Sequence, residues 1–132
     1  MKLRYSSLQQ VLTLSVLILA ATAVTPLKAA QFEIYHTVIF WLKPDTSIAK
    51  INEIVASVKA LEQLSMVEKV IVGTPVMNER EVVDDSFSIA FTMTFKSEAA
   101  LAAYNVDPQH KASSKLTMAH VTRGVIYDYS NK

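Results

Sequence analysis

The segment IYHTVIFWLK, residues 34–43, constrains this chain more than any other. Its β-branched and aromatic side chains read as a strand, and successive side chains of a strand point to opposite faces. Ile34, His36, Val38, Phe40 and Leu42 therefore share one face, and Tyr35, Thr37, Ile39 and Trp41 share the other. Both faces are largely apolar. A sheet built around this strand needs cover on both sides, and the remaining segments decide what supplies it.

The turn PDTS follows, with Asp45 or Ser47 placed to cap a helix. Ile48, Ile51, Ile54, Val55, Val58, Leu61 and Leu64 then recur at three- and four-residue spacing, which predicts an amphipathic helix over about 46–64. VEKVIVGTPV (67–76) predicts a second strand ending near Pro75, which cannot donate to a central ladder. The acid-rich stretch 77–86 is a loop. Residues 87–95 alternate cleanly, with Phe87, Ile89, Phe91, Met93 and Phe95 against small residues, and predict a third strand. Ser97 caps an alanine-rich helix that runs to Pro108, a short helix over 108–118 follows, and HVTRGVIYDYS (120–130) closes the chain as a strand.

Strand, helix, strand, strand, helix, strand is the order of a ferredoxin-like α+β fold: a four-stranded, mainly antiparallel sheet with its helices on one face. The other face would carry Tyr35, Ile39, Trp41, Val125, Tyr127 and Tyr129, too much apolar surface to leave in water. Two such sheets closing face to face would cover it, so a homodimer, a dimeric α/β barrel, is expected.

Residues 1–30 have the layout of a secretory signal: Lys2 and Arg4, then the uncharged run VLTLSVLILAATAV, then small residues at 21–23 and 28–30. The run is shorter than the roughly 20 residues that span a bilayer. Removal of the segment is expected, after Ala23, Ala29 or Ala30, followed by release of a domain over 31–132 to the periplasm or the exterior without stable membrane insertion. Loss of Lys2, Arg4 and Lys28 leaves ten Lys and Arg against twelve acids, a net charge of −2. The cations are scattered singly, so no nucleic-acid partner is expected. With no cysteine, the chain has neither disulfides nor thiolate metal sites.

Chemistry concentrates in YNVDPQH, residues 104–110, where a helix ends at Pro108. A neutral imidazole with an ordinary pKa of about 6.5 can take a proton near neutral pH, and a phenol can donate to a developing oxyanion. Each side chain also has a structural reading. His110 can fasten a helix end, Tyr104 can be a core residue with its hydroxyl at the rim, and His36 can be a bonded strand histidine. His36, His110 and His120 match no metal-ligand spacing, so no metal site is assigned. The apolar stripe of residues 87–95 is core, with Phe91 and Met93 at its centre placed to line a small cavity beside Val38 and Phe40.

HTVIFWLKP (36–44), VGTPV before an acidic loop, FTMTFKSEAALAAY (91–104), DPQH (107–110) and VIYDY (125–129) together resemble the stress-responsive A/B barrel, or Dabb, domain across residues 34–130. The resemblance implies a dimeric α+β barrel of ferredoxin-like subunits. It also implies a pocket between sheet and helices, where in a cofactor-free polyketide cyclase of the family a histidine acts with help from a tyrosine. His110 matches the catalytic histidine, Tyr104 the tyrosine, and His36 the histidine opening the first strand. Asp107 stands where that cyclase has another histidine, and Ser113 where it has an aromatic pocket wall. The expectation is a small, mostly apolar ligand bound by His36, Val38, Phe40, Phe91 and Met93, with no cofactor. Two other readings are a cofactor-independent enzyme, with His110 and Tyr104 catalytic in a cyclase-like or monooxygenase-like reaction, and a non-catalytic scaffold dimer. Room beside His110 discriminates them.

Overall fold

The computed structural model describes residues 33–131, so the signal segment assigned to 1–30 lies outside the described residues. Strands β1 (Ile34–Leu42), β2 (Lys69–Gly73), β3 (Ile89–Phe95) and β4 (Val121–Ser130) form one sheet in the order β2-β3-β1-β4. Every neighbouring pair is antiparallel. Helices α1 (Ile48–Ala60), α2 (Glu98–Val106) and α3 (Pro108–Met118) complete a ferredoxin-like subunit.

Register explains why the strand with two apolar faces is central. On the helix side, β1 sets Ile34 opposite Phe95, His36 opposite Met93, Val38 opposite Phe91 and Phe40 opposite Ile89. All eight side chains are buried. On its other edge, β1 brings His36 beside Asp128, Val38 beside Ile126 and Phe40 beside Gly124. The helices that cover this face start where short polar side chains take up free amide groups. Ser47 accepts from the Lys50 amide, Ser97 from the Ala100 amide, and Asp107 from the amides of both Gln109 and His110. Pro108 then opens α3, where its missing N–H costs nothing.

The elements are shorter than the sequence periodicity predicts. The expected helix over 46–64 becomes α1 plus a single 3-10 turn at Leu61–Gln63, and bonds from the Leu64 amide to Leu61 and from the Val67 amide to Leu64 turn the chain toward β2. Leu61 stays buried through that turn. β2 stops at Gly73 rather than reaching 76, just short of Pro75. β3 begins at Ile89, and Phe87 leaves the core stripe to meet the Trp41 ring edge-on, centroids 6.5 Å apart.

The opposite face of the sheet has no helix over it among the described residues. Tyr35, Thr37, Ile39 and Trp41 are half-buried there, and Ile71, Tyr127 and Tyr129 are exposed. Tyr35 stacks on Tyr129 with ring centroids 5.1 Å apart, and the Arg123 guanidinium lies 4.2 Å above the Trp41 ring. This apolar surface sits on the strands themselves, so self-association is the outcome expected of it. Residues 31–132 should sediment as a dimer at micromolar concentration. Ile39→Lys, which places a charge in a desolvated interface at a cost of several kcal/mol, should shift the protein to monomer. A wild-type monomer at that concentration would contradict the assignment.

Candidate functional site

Between the helix side of the sheet and the helices lies a cavity of about 240 Å³. Val38, Phe40 and Phe91 form its sheet wall, with Gly124 and Ile126 from β4. Val58 and Leu61 close it from the α1 side, and Ser113, Ser114, Thr117 and Met118 close it from α3. Gly124 is required by close approach: a Cβ there would stand 2.9 Å from Cε1 of Phe40 and push that ring.

The polar end of the cavity carries His36, Tyr104 and His110. Three elements deliver them: β1 points His36 inward by strand alternation, α2 presents Tyr104 on its buried side, and Asp107 caps the first turn of α3 so that His110 follows at once. The Tyr104 and His110 rings stack with centroids 4.1 Å apart and 28° between planes. His36 meets Tyr104 edge-on at 5.9 Å. The constellation expected from YNVDPQH and the first strand is therefore assembled in space.

Asp128 lies beside it. Its Oδ1 is 2.7 Å from Nδ1 of His36, and the histidine is buried while the carboxylate is half-exposed. An ionised carboxylate only accepts, so the His36 proton sits on Nδ1 and the ring is held by its far side. Burial pushes the Tyr104 phenol well above its ordinary value, and the Asp107 charge adds to the effect. The hydroxyl therefore stays protonated and available as a donor at any physiological pH. Burial also lowers the His110 pKa, and His36 adds to this, against the opposing pull of the Asn105 and Tyr104 carbonyls and of Asp107. Nδ1 of His110 is shut away from solvent with no partner in good hydrogen-bonding geometry, so the ring can serve the cavity only through Nε2. The neutral tautomer with its proton on Nδ1, toward those carbonyls, leaves a lone pair on Nε2; this tautomer is assigned from the surroundings.

Of the side chains expected to bind a ligand, His36, Val38, Phe40 and Phe91 line the cavity, and Met93 does not. Met93 is 0% exposed, packed in the core cluster with Phe95 and Tyr104, so it supports the wall without forming it. His120 is not on the cavity wall; its carbonyl accepts from the Lys43 amide at the turn into β4. Among the described residues no group of three or more His, Cys, Asp or Glu is placed to hold a metal ion.

Sequence reasoning placed His110 and Ser113 at the pocket but missed Asp128 and the other α3 side chains on its wall, Ser114, Thr117 and Met118. His110, Ser113, Ser114 and Thr117 fall at intervals of three, one and three along that helix, a polar stripe at helical spacing that could have been read as facing inward. Ser113 and Thr117 are buried and satisfied: Thr117 Oγ1 donates to the Ser113 carbonyl at 2.9 Å, and the Ser113 and Ser57 hydroxyls are 3.0 Å apart. No lysine or arginine lines the cavity. An anionic ligand would enter without a counter-charge, whereas a neutral molecule with a carbonyl or hydroxyl at the histidine end finds both a donor and an acceptor.

A sequence model of the Stress Responsive A/B Barrel Domain, Dabb, matches residues 34–131. No curated protein sequence matches. Among solved structures, a hydroxynitrile lyase from Passiflora edulis is similar at TM-score 0.70 and 22% identity, over 76% of this chain and 94% of that one. A Dabb family protein with a ferredoxin-like fold from Mesorhizobium loti is similar at 0.62 and 24%, over 75% and 96%. A dimeric protein of unknown function with a ferredoxin-like fold from Bacteroides fragilis is similar at 0.57 and 25%, over 74% and 94%.

The lowered pKa of His110 gives a signature in stability. The unfolded chain takes up this proton near the ordinary value of about 6.5, before the folded protein does. The neutral ring's contribution is therefore complete above that pH and is lost as pH falls from there through the folded value. The melting temperature of the wild type should drop more steeply below pH 6.5 than that of His110→Phe, which keeps a ring against Tyr104. Parallel profiles would show that His110 is not held neutral by its surroundings.

Proposed function

This chain belongs to the stress responsive A/B barrel domain family, and from that premise we propose that it is an exported homodimer that binds a small, neutral, mostly apolar molecule between sheet and helices. The observation that carries the reading is room beside His110. A pure scaffold has no use for an unfilled 240 Å³ space that ends on two histidines and a buried phenol, because filling it with side chains would stabilise the subunit. Pockets of this composition, apolar walls with a few convergent polar groups, are what small-molecule sites look like. Export is supported by the signal-like layout of residues 1–30. Dimerisation is supported by the open apolar sheet face and by relatives described as dimeric.

The polar end favours a second reading, a proton-transfer enzyme. His110 presents a neutral imidazole and Tyr104 a donor that does not ionise, while Asp128 fixes the tautomer of His36. A base, a hydroxyl donor and an oriented second imidazole around one space suffice to remove a proton beside a carbonyl and stabilise the enolate oxygen. A structurally similar protein is a hydroxynitrile lyase, which is consistent with chemistry on this scaffold without specifying it here.

A thermal-shift screen of neutral phenols and ketones against residues 31–132, with mass spectrometry of the bound species, tests both readings. His110→Ala should weaken the hits at least tenfold and abolish any turnover while leaving the melting temperature within a few degrees. Tyr104→Phe, which loses one hydrogen bond worth about 1 kcal/mol, should weaken them roughly fivefold. A large stability loss in His110→Ala with unchanged ligand affinity would identify the histidine as a helix fastener and refute the binding role.

A further inference from the structure

The cavity opens to solvent between β4 and α3. Met118 and Ile126, which line it there, are each more than half exposed, and Gly124 beside them is exposed and has no side chain to cover the gap. β4 is an edge strand, paired on one side only, so the mouth lies at the rim of the subunit. On the opposite rim, β2 ends at Gly73 and the chain then displays Val76 and Met77, each more than three-quarters exposed. One subunit thus leaves two apolar surfaces in water. Neither can cover the other, because β3 and β1 hold β2 and β4 about 14 Å apart, three strand spacings.

The relief of the open sheet face decides how a second copy meets them. β1 presents Tyr35, Thr37 and Ile39, with Trp41 beyond, and β3 sets only Thr94, Thr92 and Ala90 opposite the first three. Thr37 and Thr92 bond to each other at 2.9 Å, so the hydroxyls in the middle of the face need nothing from a partner. A two-fold axis across the strands would set bulky β1 on its own copy and leave a void between the two β3 rows. An axis along the strands instead lays β1 over the small side chains of the partner's β3, which is the close-packed choice. That operation brings the partner's β2 to β4 and antiparallel to it, and the twist of the sheets curls these two rims together. Gly73, Ala90, Ile39 and Val125 stand at one level of the sheet. The chain leaving the partner's β2 therefore runs past Gly124 toward the end of α3 that carries Met118.

We infer that the second copy of the chain closes the cavity: the partner's Val76 and Met77 cover the mouth formed by Gly124, Ile126 and Met118, and each binding site is incomplete without the other subunit. The inference rests on the dimer and on the binding reading above, and it adds what the dimer does for the site. The apolar rim of the mouth and the apolar segment after β2 are removed from water by the same contact, which neither achieves within one subunit.

The chain has no cysteine, so introduced cysteines report this contact without background. Met77→Cys and Met118→Cys, carried on separate chains of residues 31–132 with tags of different size, are co-expressed, treated with a short bismaleimide and separated by denaturing electrophoresis. The expected product joins one chain of each kind. Products joining only like chains, or no product, would overturn the closure. Calorimetric titration with 4-ethylphenol tests its effect on the site. Met77→Asp alters an exposed side chain and leaves the sheet face intact, so it should still sediment as a dimer but bind the phenol about fivefold more weakly, the worth of one partly buried apolar contact. Unchanged affinity in a dimeric Met77→Asp would overturn the claim that the partner completes the site. The mixed cross-link in a protein that binds no phenol would uphold the closure and refute the binding reading alone.

Discussion

The hydrogen bond between His36 and Asp128 is the interaction on which the functional half of this structure depends. β1 is one of the two inner strands, and its helix-facing row is otherwise apolar: Ile34, Val38 and Phe40. A buried imidazole in such a row costs free energy unless it is paired. The pairing has to come from β4, because the neighbour of His36 on β3 is Met93. Asp128 supplies it across the strands at 2.7 Å and remains half in water, so its own charge is not fully desolvated. The arrangement keeps a polar group at the end of an apolar space and fixes which way it faces.

The rest of the site follows from how α2 joins α3. Asp107 ends one helix and caps the next with bonds to the Gln109 and His110 amides, and Pro108 sets the change of direction. This places Tyr104 and His110, six residues apart in sequence, in ring contact. Burial then acts on both in the same sense, toward the neutral form: the phenol keeps its proton and the imidazole releases one. A hydroxyl donor and a lone-pair acceptor stand side by side, which is the pairing a carbonyl or phenol ligand requires.

Much of this was legible in the sequence. Strand alternation placed Val38, Phe40, Phe91 and His36 on one face because a register error in a two-sided apolar strand would bury its wrong half. The capping residues Ser47 and Ser97 announced their helices, the Asp107 cap of α3 came only with the structure, and Tyr104 and His110 stood out as a phenol and an imidazole flanking a helix break. Met93 illustrates the limit: alternation assigns a face, but whether a side chain on that face touches a cavity or lies in solid core depends on which helix residue stands above it. Asp128 was hidden because its significance is a cross-strand pairing over 92 residues. Ser113 was marked by the family resemblance as a pocket-wall position, and the structure places it on the cavity wall, whereas its neighbours Ser114 and Thr117 carried no such mark.

The central claim is that the space beside His110 is a binding site for a neutral molecule. Crystals of residues 31–132 soaked with 4-bromophenol measure this directly, since anomalous scattering locates the bromine without reference to any fitted pose. The account predicts a bromine peak inside the cavity, among Val58, Leu61 and Phe91, with the hydroxyl toward Tyr104 and His110. Bromine found only on the exposed sheet face or in lattice contacts, with the cavity empty, would contradict it.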